Sequence, residues 1–502
     1  MFIRQKKNKS GLISIQIIDK SSGKYRVVRT IGSSSDAVVI ENLIIKAKDF
    51  VKTHQGTREF DFTSSSLQIE TILNSITSHK LVGIDLVLGQ IFDDIGFNVL
   101  EDELFKDLVL YRLVYPKSKL KTTEYLYRYA QKDYSEDDIY RYLDKLHSKQ
   151  KELVQQISYD HTRKVLNNEI SIVFYDVTTI YFEIDNEDEL RKTGFSKEGK
   201  HQNPQIVLGL LVSKNGYPLA YEIFKGNQFE GHTMLPVVDA FKEKYKLDQL
   251  IIIADSGLLS KSNVEELQSK GYEFILGARI KSESERIKKK VLSLSLQNGE
   301  SEIIKKDDLK LIITYSDSRA KKDKYNREKG LRKLEKNIRT GRLTKSSINN
   351  RGYNKFLKLR GQIDVEIDTS KIDEDSKWDG LKGYISNAKL NKNEIIANYH
   401  HLWQIEKAFR VSKTDLKIRP IYHRKQKRIE AHICLTFVAY KVYKELERQL
   451  KTKKSELSPE KVIEIIQSIF QIELINPSNN DIIRKNLILT EEHRIVANLF
   501  SF

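Results

Sequence analysis

The spacing of apolar positions changes character several times along the chain. Residues 1 to about 55 carry short alternating runs, "LISIQIID" and "KYRVVRTIG", joined by "KSSGK". Period-two alternation around a Ser/Gly turn predicts a small β-meander. From about 65 to 168 the pattern is helical, in stretches such as "EDELFKDLVLYRLVY" and "SEDDIYRYLDKLHSKQKELVQQI", broken at Pro116 and then restarted. Short helices joined by such turns fit a DNA-binding region and fit any helical bundle equally well. At 171 the pattern shifts to buried strands. "SIVFYDVTTIYFEI" is β-branched and aromatic, and "PQIVLGLLVSKNGYPLAYEIFKG" places two apolar runs around Asn215-Gly216, a strong hairpin signal. A helix ("TMLPVVDAFKEKY"), a strand ("LDQLIIIADSGLLS"), a helix ("SKSNVEELQSKG") and a strand ("YEFILGAR") follow. This order predicts a mixed α/β sheet with an antiparallel part. From about 281 to 390 the runs "LKLIITYSD" and "QIDVEIDT" flank a basic stretch; the chain is then helical again, ending in a pair of amphipathic segments from about 456.

These changes divide the chain into a β region at 1–60, a helical region at 61–168 and a sheet core at 169–280 and 391–455. A basic insertion at 281–390 interrupts the core. The last part, 456–502, is expected to be helical, with dimerisation as its candidate role.

Charge sharpens the picture. The 502 residues carry a net charge of +17, which favours a polyanionic partner, nucleic acid first and an anionic membrane surface second. Residues 321 to 360 hold 15 Lys/Arg against 3 Asp/Glu, so much of the excess is local. That stretch reads as a nucleic-acid contact or as a solvated basic helix. No apolar run approaches the roughly 18 to 20 residues of a membrane span, and no apolar segment follows the basic start as in a secretory signal. The single cysteine, Cys434, lies in the apolar stretch "AHICLTFVAY", which excludes an intrachain disulfide framework and a cysteine-based zinc site. A soluble intracellular protein is expected.

Candidate chemistry comes from three acids. Asp176 in "FYDVTT" and Asp255 in "IIIADSG" sit at the ends of buried strand cores, where an unpartnered carboxylate is costly. Asp255 has an alternative role as cap of the helix that follows. Two carboxylates converging at one sheet edge raise each other's pKa unless a cation compensates, and hard oxygen ligands suit Mg²⁺ or Mn²⁺. Glu406 is the natural third acid. It lies in "YHHLWQIEKAFRVSK", where Tyr399, Trp403, Glu406, Arg410 and Lys413 share one helical stripe beside Leu402, Ile405 and Phe409. That face is either a solvated charged surface or part of a site. Two such cations about 3.5–4 Å apart can activate a water and stabilise the leaving oxygen of a displacement at phosphorus.

Together "FYDVTT", "IIADSGLLS" and "YHHLWQIEKAFRVSK" resemble the DDE transposases of bacterial insertion sequences, in particular the subgroup with a Tyr-Arg-Glu-Lys signature. The signature maps onto Tyr399, position 402, Glu406 and Lys413; position 402 is Leu402 rather than Arg. "GNQFEGHTM" and "DGLKGYISN" also look like stretches of that family. The resemblance implies an RNase H-like α/β catalytic core with a β-containing insertion before the Glu helix. It implies Asp176, Asp255 and Glu406 as catalytic metal ligands, Mg²⁺ as cofactor with Mn²⁺ as a substitute, and cleavage followed by strand transfer. The implied partners are double-stranded DNA at terminal inverted repeats, target DNA and a second copy of the chain, in the cytoplasm at the nucleoid.

Tyr399, Arg410 and Lys413 are then expected to hold phosphates. Trp403 is expected either to stack on a base or to pack in the core. Lys200 and His201, before the hairpin, are further candidate DNA contacts. His400, His401 and His423 show no zinc-ligand spacing and are expected on the surface or against DNA. Two rival functions stay open: a metal-dependent nuclease without strand transfer, and a catalytically silent DNA-binding protein.

Overall fold

The computed structural model describes residues 1–55, 63–196, 199–343, 345–349, 352–360, 364–419, 421–476 and 479–502. Two compact units emerge, one made of residues 1–80 and 470–488 and the other of residues 81–469 and 489–502.

The smaller unit begins with β1 (Phe2–Lys7), β2 (Ile13–Asp19) and β3 (Arg26–Ser34), paired antiparallel in that order. On β2, Ile15 and Ile17 point to one face, as alternation requires, and pack against Ala47 of α1 (Ala37–Gln55). The expected meander is thus joined by a strand and a helix. α2 (Thr63–Asn74) and β4 (Ile76–Leu81) follow.

In the larger unit α3 (Gln90–Ile95), α4 (Glu103–Val114), α5 (Lys119–Tyr125), α6 (Glu136–Lys145) and α7 (Lys151–Val165) form the helical region. Ser135 and Asp138 close a capping box at the start of α6, and Pro116 lies in the break between α4 and α5. Next come β5 (Ile172–Tyr181), β6 (Gln205–Ser213), β7 (Pro218–Lys225), α8 (Met234–Tyr245), β8 (Ile251–Ala254), α9 (Lys261–Ser269) and β9 (Glu273–Ala278). Strands β7, β6 and β5 are antiparallel neighbours, while β8 and β9 run parallel to β5. The order β7-β6-β5-β8-β9 with these directions is that of an RNase H-like core.

The stretch 281–390 does not fold apart from this sheet. It contains α10 (Glu285–Leu292), β10 (Ser301–Lys306), β11 (Leu309–Tyr315), α11 (Asp317–Arg339), β12 (Leu357–Arg360), β13 (Asp364–Ile367), α12 (Thr369–Ser376) and β14 (Leu381–Ser386). β14 pairs with β9, β11 with β14 and β10 with β11, so one eight-stranded sheet results. This pairing covers the edge that β9 would otherwise expose. The basic stretch is largely α11, a 23-residue helix. The first residues of "QIDVEIDT" lie outside the described residues.

The chain continues through α13 (Lys392–His400), α14 (Trp403–Arg410), α15 (Gln426–Thr452) and α16 (Pro459–Ile466). The end of the chain is not wholly helical: β15 (Phe470–Ile475) and β16 (Ile482–Asn486) pair with β4 in the order β16-β15-β4 before α17 (Glu491–Phe500). Their β-branched runs favour strands once a partner edge exists. Among the described residues no helix is long and apolar enough to cross a membrane.

Alternation assigns the two faces of the core sheet. Val173, Tyr175 and Val177 of β5, Ile252 and Ala254 of β8, and Phe274 and Leu276 of β9 join one core with Met234, Val238 and Phe241 of α8 and Leu267 of α9. Burying each large aliphatic side chain there stabilises by about 1.5–3 kcal/mol. Residues of the other parity face the opposite side, where α14 packs across β5 and β6.

Candidate active site

Asp176 and Asp255 both have the parity that faces α14. The parallel β5–β8 ladder ends at the pair Tyr175↔Ala254, so the two acids are the next residues in register on adjacent strands. Neighbouring strands lie about 4.8 Å apart, which sets the acids side by side. Asp176 is partly exposed and Asp255 exposed, at the mouth of the face rather than in its core. Asp255 is also the residue at which the strand gives way to a short 3-10 turn, but its side chain makes no capping bond to that turn.

Tyr399 is buried, at 3% exposure, and its phenol donates to Asp255 Oδ1 at 3.1 Å. Burial, then the charge of Asp255, raises its pKa above the usual phenol value. The ring packs on Tyr384 with centroids 4.6 Å apart, and Lys382 Nζ lies 4.6 Å from its centre. Gly277 on β9 makes this approach feasible: a Cβ there would stand 2.5 Å from the Tyr399 phenol oxygen and 2.9 Å from Ser256 N.

The stripe expected over 399–413 is not one continuous helix. Between α13 and α14 the hydrogen bonds tighten to three-residue spacing, with Leu402 N donating to Tyr399 O at 3.0 Å and Gln404 N to His401 O at 2.9 Å. This break turns Tyr399 inward while Glu406 and Arg410 stay exposed on α14. Lys413 lies in a π turn, Val411–Asp415, whose wider pitch takes it off the 3.6-residue period. Trp403 is 48% exposed and so is not a core residue. Leu402, at the position of the signature arginine, is buried as the residue preceding α14.

Glu406 sits close enough to share an electrostatic environment with Asp255: both carboxylates act on Tyr399 and on Lys382. Lys382 on β14 is partly buried. Burial lowers its pKa first and Arg319 adds to this, while Asp255 and Glu406 pull the other way. Arg279, just past β9, binds the loop after Asp255, donating from Nε to Ser256 O at 2.9 Å and from Nη2 to Gly257 O at 3.2 Å. Gly277 and Arg279 carry no motif of their own, while Lys382 lies within "DGLKGYISN"; strand pairing brings all three here.

α14 is held from behind. Lys407, next to Glu406, pairs with Glu447 of α15 at 2.5 Å, and Lys444 bonds the other carboxylate oxygen of Glu447. Burial would raise the pKa of Glu447, but these two hydrogen bonds bring it down to about 2.

Lys200 and His201 are not brought to the acids. Lys200 Nζ lies 5.7 Å from the centre of the Tyr181 ring, five residues or about 17 Å along β5 from Asp176. His201 Nδ1 accepts from Ser196 N. His400 is exposed and His401 partly exposed, but His423 is buried, contrary to the surface position expected for it. It packs edge-on against Tyr140 and beside His432, a local cluster that its sequence neighbours do not reveal.

Among the described residues no group of three or more His, Cys, Asp or Glu side chains is arranged to hold a metal ion. The donor set nevertheless suits a hard divalent cation: two carboxylates in adjacent register, accessible from the mouth, with a third on the helix above.

The model of the transposase DDE domain family matches residues 167–442, which include Asp176, Asp255 and Glu406. This span is more than half of the chain, and the protein belongs to that family. Among solved structures the chain is similar to a piggyBac transposase synaptic complex with hairpin DNA, at 10% identity and a TM-score of 0.37, covering 77% of this chain and 79% of that one. It is also similar to a Mos1 transposase paired-end complex with the left transposon end, at 11% identity and a TM-score of 0.16, covering 34% of this chain and 56% of that one. A comparison with curated proteins finds no match. The family assignment therefore rests on the family model, together with the strand order of the core.

Proposed function

We propose that this family member is an active cut-and-paste DNA transposase whose catalytic acids are Asp176, Asp255 and Glu406. The observation that carries the reading is the adjacent register of Asp176 and Asp255 on the face crossed by the Glu406 helix. Two Mg²⁺ ions held by these carboxylates, with Mn²⁺ as a substitute, would lower the pKa of an attacking water and offset charge on the leaving oxygen. Water attacks phosphorus at the transposon end, the bond to the 3′ oxygen breaks, and that oxygen leaves as a hydroxyl. The freed 3′-hydroxyl then attacks a second phosphodiester, forming a new ester and displacing the 3′ oxygen there.

The protein's own groups prepare this chemistry. The Tyr399 phenol fixes one oxygen of Asp255 and leaves the other for a ligand. Lys382 reduces the repulsion between Asp255 and Glu406. Arg410 and Lys413 neutralise backbone phosphates, and the exposed Trp403 offers a face for stacking on a base. A cleft of about 620 Å³ shares Lys382 with the site; its lining sets Arg279, Lys281, Arg319, Arg327, Lys355 and Lys382 against Asp323, Asp375 and Asp379, and this excess of base suits a polyanion. The partners are double-stranded DNA at the element's inverted repeats, target DNA and a second copy of the chain.

The test is cleavage of a labelled duplex bearing the element's own end, with Mg²⁺, Mn²⁺ or EDTA, for the natural protein and Glu406→Gln. Metal-dependent cleavage that disappears in the variant while DNA binding persists is expected. DNA binding without cleavage by either protein would instead favour a silent DNA-binding role. Cleavage without joining of paired ends would favour a nuclease.

A further inference from the structure

A second cavity, of about 380 Å³, lies in the larger unit between α4, the start of α5, α15 and the segments on either side of residue 420. Its lining is dominated by bases: Arg112, Lys117, Lys119 and Lys417, with the imidazoles of His423 and His432 behind them. Among the described residues the one carboxylate in its lining belongs to Glu136, which is exposed.

His432 is buried and defines the electrostatics. Its Nε2 lies 3.1 Å from Ile418 O and must donate to that carbonyl, so Nδ1 is left as an acceptor. Arg112 Nη2 and Lys119 Nζ each approach Nδ1 at 3.0 Å, so two cations share one lone pair. Among the described residues no carboxylate lies within ion-pair distance of either. Burial pushes the guanidinium of Arg112 down to about 10, and burial with repulsion from Arg112 pushes Lys119 well below its usual value. His423, 7% exposed, has an Nε2 with no hydrogen-bond partner.

Uncompensated, partly buried cations packed against a buried imidazole are costly, and an unsatisfied buried nitrogen beside them adds to the cost. A multiply charged oxyanion would remove both penalties. A guanidinium fork, an ammonium and an imidazole N–H together match the several acceptor oxygens of a phosphate group. We propose that this cavity is a phosphate-binding site, distinct from the acid site.

Phosphate chemistry has two sources here, a backbone phosphate of bound nucleic acid and free inorganic phosphate. The position of the cavity fits the first. Arg419, in the same lining, stacks on Tyr181 at the end of β5, with its guanidinium 5.6 Å from the ring centre. Tyr181 is five residues along the strand from Asp176, a span of about 17 Å, or roughly five base pairs of duplex.

The experiment uses the full chain and two probes, inorganic phosphate against chloride at constant ionic strength, and a short DNA duplex across a salt series. The variants are Lys119→Met, which keeps the stem and removes the charge, and Lys117→Met at the exposed mouth. Phosphate is expected to raise the melting temperature of the natural protein. Lys119→Met is expected to melt higher than the natural protein in chloride, because its repulsion with Arg112 is gone, and to gain nothing from phosphate. If the ligand is a backbone phosphate, the slope of log K against log salt falls by about one in each variant. An unchanged slope with the phosphate shift lost identifies free phosphate as the ligand, and the site stands. The proposal is overturned if phosphate leaves the natural protein's melting unchanged and neither variant alters the DNA salt slope. It is also overturned if Lys119→Met keeps the full phosphate response.

Discussion

Replacing Gly277 by alanine tests the packing on which the Asp255–Tyr399 contact depends. The backbone at Gly277 lies outside the left-handed region, so alanine is conformationally acceptable there and would by itself stabilise by about 0.4–1 kcal/mol through the unfolded chain. The structure reverses that sign. The added Cβ would meet the Tyr399 oxygen at 2.5 Å and Ser256 N at 2.9 Å, well inside contact distance. The Tyr399 ring cannot swing freely, because Tyr384 and Lys382 lie against it. Overpacking of this kind costs about 1–3 kcal/mol. Loss of the bond to Asp255 adds about 1 kcal/mol, less than a buried charged bond because water can replace the phenol at an exposed carboxylate. A net loss of about 1–3 kcal/mol follows. Tyr399→Phe removes the oxygen that the Cβ strikes, so the double variant should be more stable than the sum of the two singles predicts, by about 1 kcal/mol. Urea unfolding followed by tryptophan fluorescence is the assay, since Trp378 and Trp403 are the only tryptophans and both lie in the larger unit. A Gly277→Ala protein as stable as the natural one, or strictly additive effects, would refute the reasoning.

Three further outcomes can be checked. The folded-state pKa of Glu447, about 2, lies below its ordinary value of 4.5, so its contribution is complete above pH 4.5 and is lost as pH falls toward 2; acid titration of Lys407→Met should show a shallower loss over that window than the natural protein. Lys407→Met should also lower DNA cleavage without abolishing it, because α14 loses its tie to Glu447 while Glu406 remains; a rate equal to that of the natural protein would show that the tie does not position the helix. Cys434 is buried, with its pKa pushed up to about 11 by desolvation, so the single thiol should resist alkylation in the native state and react at once in urea, as read by mass spectrometry.

Local pattern determined a good deal. β-branched runs marked β5, β6, β8 and β9, the Asn215-Gly216 pair marked the β6–β7 turn with Gly216 at φ +81°, and two acids at strand ends marked themselves as costly. Alternation even fixes that Asp176 and Tyr175 face opposite sides, because the side-chain period of a strand is two. Pattern could not determine which strands become neighbours. The register that sets Asp176 beside Asp255 is a pairing between segments 79 residues apart, decided by burial of the whole sheet (255 − 176). The same holds for Gly277 and Lys382, which enter the site only because β8 pairs with β9 and β9 with β14. Helical periodicity misplaced Tyr399, since a period assumes an unbroken helix and the tight turn at 401–402 is a compromise that lets Tyr399 bury while α14 crosses the sheet. The cationic cavity was the least legible of all: Arg112 and His432 are 320 residues apart, and only tertiary packing brings their side chains together.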